Sequence, residues 1–239
     1  MFRCDEVGQV KRARTALVTG AARGIGAAIA ERLSLEGLDV ITLDVSGGCD
    51  VTLDVAGGEF PELGPVDVCV ANAGVTRTIA PAHTMSAEQW QLDIDVNLTG
   101  AFRTIQACLP GMRARRHGRV VVISSLAAIG GLPGQVAYAA SKAGQLGMVR
   151  TLAAENAAYD ITANAVLPGL TDTEQVLAMP EAVRERVLGA LPSGRAVLPE
   201  EIAALVAFLA REESGQLTGQ AIAVDGGASL TQLSLGSSR

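Results

Sequence analysis

One segment constrains the fold most: a strand-like run that leads directly into a glycine-rich turn and then into a helix. Thr15–Thr19 is a compact apolar run, and Thr19-Gly20-Ala21-Ala22-Arg23-Gly24-Ile25-Gly26 follows it without a gap. The next apolar residues then recur with the spacing of an α-helix. Glycines let a backbone approach a pyrophosphate, and a helix N-terminus offers free N–H groups. The segment therefore predicts a phosphate-binding strand–turn–helix unit, although the glycines alone would also suit a plain turn.

The remainder of the chain repeats this alternation of strand and helix. Five more compact runs rich in Val, Ile or Ala are typical of buried parallel strands. These runs are Val40–Leu43, Val66–Ala71, Val120–Ser124, Thr162–Val166 and Ala221–Val224. Segments with helical spacing lie between them, which predicts an α/β fold: a doubly wound parallel sheet with helices on both faces. We expect one domain over residues 15–239, preceded by an N-terminal tail of residues 1–14.

The stretch from Val40 to Ala71 is too short for two full crossover helices. Ser46-Gly47-Gly48 and Ala56-Gly57-Gly58 predict turns on either side of a short strand within Asp50–Val55. A parallel crossover normally needs about a dozen residues or more. We therefore expect the second and third crossovers to be shortened to loops or a single turn.

Composition and charge exclude several classes of protein. The net charge of −6 and the aromatic content of 3% disfavour a nucleic-acid partner. No apolar run approaches the roughly 20 residues of a membrane span, and the polar N-terminus does not resemble a secretory signal. Four cysteines without metal or disulfide spacing, and two distant histidines, predict no metal site and a reducing, cytoplasmic location.

Five residues are candidates for the chemistry. Tyr138 and Lys142 are four residues apart, which places them on one face of a helix. A nearby ammonium group would lower the pKa of the phenol from its usual value of about 10 and suit it to acid–base work. Ser124-Ser125 follows a predicted strand, where a serine can hold a substrate oxygen or simply cap a turn. Asn97 lies in a helical pattern; it could hold a proton-relaying water for Lys142, or merely pack.

Asp44 bears on the choice of cofactor. It ends the second predicted strand, where a carboxylate can accept hydrogen bonds from the adenosine ribose hydroxyls and would repel a 2′-phosphate. This favours NAD(H). Arg23 in the glycine turn could balance the negative charge of a 2′-phosphate, so NADP(H) is the alternative cofactor.

Taken together, these motifs make the chain resemble the short-chain dehydrogenase/reductase family from about Thr15 to Gly227. The resemblance rests on Thr19–Gly26, Ala71-Asn72-Ala73-Gly74, Asn97, Ser125, Tyr138 with Lys142, Pro168-Gly169, Leu217-Thr218-Gly219-Gln220 and Asp225-Gly226-Gly227. It implies a single Rossmann-type domain with a seven-stranded parallel sheet. Ala71 departs mildly from the pattern, since the family often has a second Asn there.

The resemblance implies a catalytic tetrad of Asn97, Ser125, Tyr138 and Lys142. Tyr138 would exchange a proton with the reacting oxygen, and Ser125 would hold that oxygen. Lys142 would bind the nicotinamide ribose and lower the pKa of Tyr138, while Asn97 would position the relay water. The spacing of 13 residues before Tyr138 selects Ser125 over Ser124.

The resemblance also implies a set of cofactor contacts along the carboxyl edge of the sheet. They are Gly20, Arg23, Gly24, Ile25, Gly26, Asp44, Val45, Asp54, Val55, Asn72, Ala73, Gly74, Tyr138, Lys142, Pro168, Gly169, Leu170, Thr171 and Thr173. Thr173 would lie near the nicotinamide carboxamide. Asp54-Val55 suits the Asp-Val pair after the third strand best, with Asp50-Val51 as the alternative.

The implied activity is an NAD(H)-dependent interconversion of a secondary alcohol and a ketone, in a homotetramer or homodimer. An NADP(H)-dependent 3-oxoacyl-thioester (acyl-carrier-protein) reductase is the alternative, although that enzyme usually uses NADPH. A non-catalytic dinucleotide sensor is a remote third interpretation, because such proteins tend to lose the Tyr or the Lys and this chain has both. The segment at about 170–199 is predicted to be a substrate loop and lid, and its apolar residues favour a substrate with a hydrophobic body.

Overall fold

The sheet predicted from the sequence is present with all seven strands parallel. The computed structural model describes residues 3–4, 10–11, 13–76, 79–177 and 179–230. The strands are β1 (Thr15–Thr19), β2 (Asp39–Asp44), β3 (Val51–Thr52), β4 (Val68–Ala71), β5 (Gly118–Ile123), β6 (Ile161–Pro168) and β7 (Ala221–Val224). Their order across the sheet is β3-β2-β1-β4-β5-β6-β7. This confirms the doubly wound fold class.

Helices cover both faces of the sheet. They are α1 (Gly24–Leu35), α2 (Ala87–Asp93), α3 (Gly100–Arg115), α4 (Ala127–Gly130), α5 (Val136–Asn156), α6 (Glu174–Leu177), α7 (Glu181–Gly189) and α8 (Pro199–Leu209). Among the described residues, no helix is long and apolar enough to cross a membrane. Within the predicted tail, Arg3–Cys4 pairs with Val10–Lys11 in a separate antiparallel sheet.

Two hydrophobic clusters hold the helices to the sheet, one on each face. Successive residues of a strand point to opposite faces, so Leu17 joins one cluster while Ala16 and Val18 join the other. In the cluster of Leu17, residues of α3 and α5 pack on the sheet. In the cluster of Ala16 and Val18, α1 and α8 pack against each other and on the sheet. Because β1 and β4 lead to opposite halves of the sheet, the carboxyl ends of these two strands flank the crevice where such folds bind ligands.

The second and third crossovers are shortened, as the spacing of glycine turns predicts. β3 pairs with β2 through Leu43 and Val51 after only a bend, and residues 53–67 contain no helix. The Arg103 guanidinium of α3 donates hydrogen bonds to the carbonyls of Val55 and Gly58. A cationic side chain thus satisfies backbone acceptors that a crossover helix would otherwise satisfy internally.

The helical pattern that begins near Trp90 is interrupted in the structure. A capping box of Ser86 with Gln89 starts α2, and a π-helical turn, Ile94–Thr99, separates α2 from α3. The apolar periodicity predicts one continuous helix here, because one inserted residue shifts the phase of the pattern but leaves its period unchanged on either side. π-Turns are often found at functional sites, and this one contains Asn97.

We expect Gly26→Ala to destabilise the fold and to abolish dinucleotide binding. An added Cβ would overlap the Gly20 carbonyl and lie 2.5 Å from Asn72 Nδ2, so the turn would have to move away from β4. Overpacking of this kind costs about 1–3 kcal/mol, which urea denaturation would measure, while calorimetry would follow binding of NADH. Gly57→Ala is the matched control because nothing lies within 4 Å of its Cβ position. Wild-type stability and affinity in Gly26→Ala would contradict this packing.

Candidate active site

The glycine turn presents an uncapped helix N-terminus. Gly20 and Gly24 have φ angles of 66° and 57°, values that favour glycine. α1 then begins at Gly24, and the extended residue before it, Arg23, provides no side-chain cap. The N–H groups of Gly24, Ile25 and Gly26 are therefore at the exposed end of a helix dipole, where a phosphate binds well. Because Gly20 and Gly26 have no Cβ to collide with Ala73, with Asn72 or with the turn itself, the turn packs closely against the end of β4 and presents a helix N-terminus that fits a dinucleotide pyrophosphate.

Asn72 and Thr19 fasten this turn to the end of β4. Asn72 Nδ2 donates to the carbonyl oxygens of Thr19 and Gly20 at 2.8 and 3.1 Å. Thr19 Oγ1 accepts hydrogen bonds from the N–H groups of Asn72 and Ala73, both at 3.1 Å. The Asn72 amide therefore holds the cofactor loop in place. Thr19 belongs to the glycine-turn motif, but its spacing alone does not predict this role for its hydroxyl.

Asp44 lies at the carboxyl end of β2, against the glycine turn. Its Oδ2 accepts from Ala22 N–H at 3.2 Å, and its Oδ1 accepts from the Ser46 N–H and hydroxyl at 2.9 and 2.6 Å. Partial burial raises the pKa of this carboxyl, but the hydrogen bonds from Ser46 and Ala22 outweigh it and leave the pKa below its usual value. Asp44 is thus held as a carboxylate. The next residue, Val45, is exposed.

Two acidic residues flank the short strand β3 in different ways. Asp50 precedes it and is bound by the N–H and hydroxyl of Thr42 at 2.9 and 2.7 Å. Asp54 follows it and accepts from Ala56 N–H at 2.9 Å. Val55 is buried and packs against Gly100 of α3. Only Asp54 and Val55 therefore lie past the carboxyl end of β3, where the family resemblance puts an adenine contact.

Pro168–Thr173 extends from the end of β6 across the crevice to the glycine turn. The Pro168 carbonyl accepts from Leu126 N–H, and Gly169 N–H donates to the Val224 carbonyl of β7. The Leu170 carbonyl accepts from Val197 N–H, and Thr171 Oγ1 donates to the Gly169 carbonyl. A Cβ on Gly24 would lie 3.6 Å from the Thr173 methyl group. The structure thus brings Thr173 beside the pyrophosphate end of the crevice.

The segment predicted to be a substrate loop contains α6 and α7. Arg23 of the glycine turn forms a 3.8 Å ion pair with Glu174 at the start of α6, and both side chains are exposed. Such a pair contributes little stability. Arg195, near the end of the segment, is held by Glu201 at 2.7 and 2.8 Å.

Lys142 is buried on α5, one turn after Tyr138. Its Nζ donates to the Ile123 carbonyl at 2.8 Å and lies 5.7 Å from the centre of the Tyr138 ring. Burial lowers the pKa of Lys142 to about 8. A Cβ on Gly74 would lie 3.4 Å from Nζ. Gly74 therefore borders the lysine, at the end of the crevice where the family resemblance puts the nicotinamide ribose.

The two serines after β5 face different groups. Ser124 is buried, and its hydroxyl donates to the Lys142 carbonyl at 3.0 Å. Ser125 instead hydrogen-bonds the phenol of Tyr138, and its Oγ also accepts from Ala127 N–H at 3.1 Å. The geometry therefore brings Ser125, and not Ser124, to the reactive end of Tyr138.

The ionisation of Tyr138 differs from the sequence expectation. Burial raises the pKa of the phenol, hydrogen bonds with the Ser125 and Thr76 hydroxyls lower it, and the charge of Asp93 raises it again, so the net shift is upward. The sequence analysis expected Lys142 to lower this pKa. In the structure the Lys142 ammonium is turned to a backbone carbonyl, and burial of the phenol dominates.

Asn97 is buried in the π-turn, and its side chain is fully hydrogen-bonded. Its Oδ1 accepts from Val75 N–H at 2.7 Å, while Nδ2 donates to the Val75 carbonyl at 2.9 Å and to Ser141 Oγ at 3.2 Å. Gln145 Nε2 donates to the Asn97 backbone carbonyl at 2.6 Å, and Ser141 Oγ donates to the Tyr138 carbonyl at 2.7 Å. Asn97 thus ties the loop after β4 to α5. Ser141 and Gln145, which the sequence analysis did not single out, share the inward face of α5 with Lys142.

Comparison with known proteins agrees with this arrangement. The family model described as enoyl-(acyl carrier protein) reductase matches residues 55–229. Acetoacetyl-CoA reductase of Rhizobium meliloti (strain 1021) is 43% identical, over 90% of this chain and 98% of the relative. The chain belongs to the short-chain dehydrogenase/reductase family.

Other relatives extend the likeness to solved structures. The 3-oxoacyl-[acyl-carrier-protein] reductase FabG of Thermotoga maritima is 39% identical over 90% of this chain and 97% of its own length. The crystal structure of levodione reductase superposes with a TM-score of 0.84 at 28% identity, covering 91% of this chain and 99% of that one. As a member of this family, the chain is an oxidoreductase that acts on hydroxyl and keto groups with a nicotinamide dinucleotide.

We expect Asn97→Ala to destabilise the protein by about 2–4 kcal/mol, because the N–H and carbonyl of Val75 would both lose their partner in a buried region. Ser141→Ala is the matched comparison: it leaves the Val75 bonds intact and should cost about 1 kcal/mol. Urea denaturation of both variants measures the two losses. Equal losses would show that the bonds to Val75 are not what holds Asn97.

Proposed function

We propose that the chain interconverts a ketone and a secondary alcohol, with Tyr138 as the acid/base. The observation that carries this proposal is the meeting of the Tyr138 phenol with the Ser125 hydroxyl, one helical turn from buried Lys142. This group lies at the carboxyl end of β5, across the crevice from the glycine turn. Ketone oxygen, hydride donor and proton donor can therefore converge there.

The chain's own residues would supply binding and the proton. The dinucleotide, held by the glycine turn and by Lys142 at its nicotinamide ribose, supplies the hydride. Ser125 would hold the reacting oxygen while Tyr138 donates its proton to that oxygen, or accepts it in alcohol oxidation. The raised pKa keeps the Tyr138 proton in place at neutral pH, which suits the role of proton donor in reduction. Asn97 would hold the path between Lys142 and a relay water.

For the cofactor we propose a preference for NAD(H). Asp44 is ionised at the end of β2, in the position from which a carboxylate accepts from both ribose hydroxyls and repels a 2′-phosphate. NADP(H) is the alternative, and Arg23 is the side chain that would have to pair with the phosphate. Its pairing with Glu174 is exposed and therefore weak.

For the substrate, a 3-oxoacyl thioester is the second and more specific candidate. Similar proteins are named for the reduction of acetoacetyl-CoA and of 3-oxoacyl groups on acyl carrier protein. Both reactions convert a ketone to a secondary alcohol, so the same Tyr138 chemistry serves them. Ile129, Leu132 and Val136 are apolar and largely exposed beside Ser125. They suit a substrate with a hydrophobic body.

We also propose a homotetramer or homodimer in the cytoplasm, built from one domain of residues 15–239. Exposed Trp90, Leu92 and Phe102 on α2 and α3 give the subunit an apolar surface that another copy could cover. Free thiols at Cys49, Cys69 and Cys108 suit a reducing compartment.

We expect Tyr138→Phe to lower kcat for acetoacetyl-CoA reduction by about 100-fold or more, since it removes the proton donor. NADH affinity, measured by fluorescence titration, should stay within about twofold because the ring remains. Tyr159→Phe is the control, because Tyr159 lies on Arg113 at the far end of α5. Near-normal turnover in Tyr138→Phe would refute the proposed mechanism.

We expect Asp44→Ala to erode the preference for NAD(H). Removing the carboxylate removes the ribose acceptor and the repulsion of a 2′-phosphate, so the ratio of kcat/KM for NADH to that for NADPH should fall by about tenfold or more. Asp50→Ala removes an equal charge from an acid that is held by Thr42 before β3, so it should change the ratio much less than Asp44→Ala does. An unaltered ratio in Asp44→Ala would place the ribose contact elsewhere.

A further inference from the structure

One buried acid beside the candidate site has no part in the chemistry described so far. Asp93, the last residue of α2, is fully buried. Neither of its carboxyl oxygens has a hydrogen-bond partner among the described residues. An unpaired buried carboxylate is costly, and burial accordingly raises the pKa of Asp93. Because Asp93 costs the fold stability, we expect its carboxyl group to have a function in the neighbouring site.

The packing of the helices places Asp93 against the start of α5. The π-turn runs beside α5, with Leu98 against Gly144 and Asn97 bonded to Ser141 and Gln145. Asp93 precedes Asn97 by four residues, so it lies about one turn back along the same segment. Tyr138 lies about one turn before Ser141 on α5, and α2 packs against α5. The packing therefore places Asp93 beside the part of α5 that carries Tyr138, and its charge is among the influences that raise the pKa of the phenol, after burial.

Among the described residues, the other ionisable groups in this region are engaged or distant. From α5, Lys142 faces the same interior but donates to the Ile123 carbonyl. On the segment of Asp93 itself, Asp95 accepts from Gln91 at 2.7 Å, and Glu88 is exposed at the start of α2. From the loop after β4 and from β5, Thr76 and Ser125 offer neutral hydroxyls to Tyr138. Asp93 is thus the negative charge that the structure couples to the phenol.

We propose that Asp93 is a positioning residue that acts through space on Tyr138 and extends to higher pH the range in which Tyr138 can donate its proton to a carbonyl substrate. This inference rests on the proposed role of Tyr138 as the acid/base. Asp93 has lost its own proton well before a phenol titrates, so its negative charge opposes formation of the phenolate. Reduction, which needs the protonated phenol, would then persist to higher pH than it would without Asp93.

The chain offers a direct test because it has only two tyrosines, Tyr138 and Tyr159. In a Tyr159→Phe background the ultraviolet absorbance of phenolate reports Tyr138 alone, without turnover or cofactor. We expect Asp93→Asn to shift this titration to lower pH. Asp93→Leu, which also removes the charge but fills the site with an apolar side chain, should shift it in the same direction and serves if the amide variant does not fold. Asp95→Asn removes an equal charge two residues away and should leave the titration in place.

Kinetics give the second readout. In Asp93→Asn the high-pH fall of kcat/KM for acetoacetyl-CoA reduction should move to lower pH, together with the titration of the phenol. An unchanged or upward-shifted titration in both Asp93 variants would overturn the proposal. If the titration shifts while Tyr138→Phe retains turnover, then Asp93 acts on Tyr138 but Tyr138 is not the acid/base. The titration therefore separates failure of this inference from failure of the proposed function.

Discussion

The close approach of the glycine turn to the end of β4 is the constraint on which the site depends. Gly20 and Gly26 leave no room for a side chain, and the Asn72 amide fills the gap by donating to the carbonyls of Thr19 and Gly20. This half-buried amide, bonded to the carbonyls of the last residue of β1 and of the residue after it, fixes the turn relative to the sheet. The N-terminus of α1 is then aimed along the crevice that the catalytic side chains border. Without this contact, the glycine turn and the candidate catalytic side chains would not be held at a fixed distance across the crevice.

α5 organises the other side of the crevice, and it does so with buried polar groups. Ser141, Lys142 and Gln145 are all nearly inaccessible, and each is paired with a backbone or side-chain group of a neighbouring element. Polar groups buried in this way tolerate little displacement, because a lost partner leaves an unsatisfied donor. The cost of burial is visible in Lys142, whose pKa falls to about 8. Rigid placement of the lysine and a weaker hold on its proton therefore come from the same burial.

The sequence predicts the fold, and which candidate side chains lie close together, better than it predicts their electrostatics. Strand runs and the turn at Gly24 depend on local patterns, so their positions match the structure closely, and the spacing that selects Ser125 agrees with its contact to Tyr138. The π-turn at Asn97 shifts the phase of the apolar pattern without changing its period, so the period alone predicts a continuous helix. The coupling of Asp93 to Tyr138 depends on how two helices pack, and nothing in the spacing of either helix specifies it. The sequence also predicts that Lys142 lowers the pKa of Tyr138, whereas the net shift in the structure is upward. Proximity in sequence does not specify where an ammonium group points, and that of Lys142 points to the Ile123 carbonyl.

The shortened crossovers bear on the cofactor through charge. Residues 45–66 contain four acidic residues, Asp50, Asp54, Glu59 and Glu62, and no lysine or arginine. A longer crossover could have carried a cation toward the adenosine ribose, but here β3 follows β2 after a single bend. Asp44 therefore acts within a uniformly negative edge of the sheet, and Arg23, exposed and facing Glu174, is the nearby cation. A 2′-phosphate would have to overcome this local field with one weakly held arginine, so the proposed preference for NAD(H) rests on the charge of this edge as well as on Asp44.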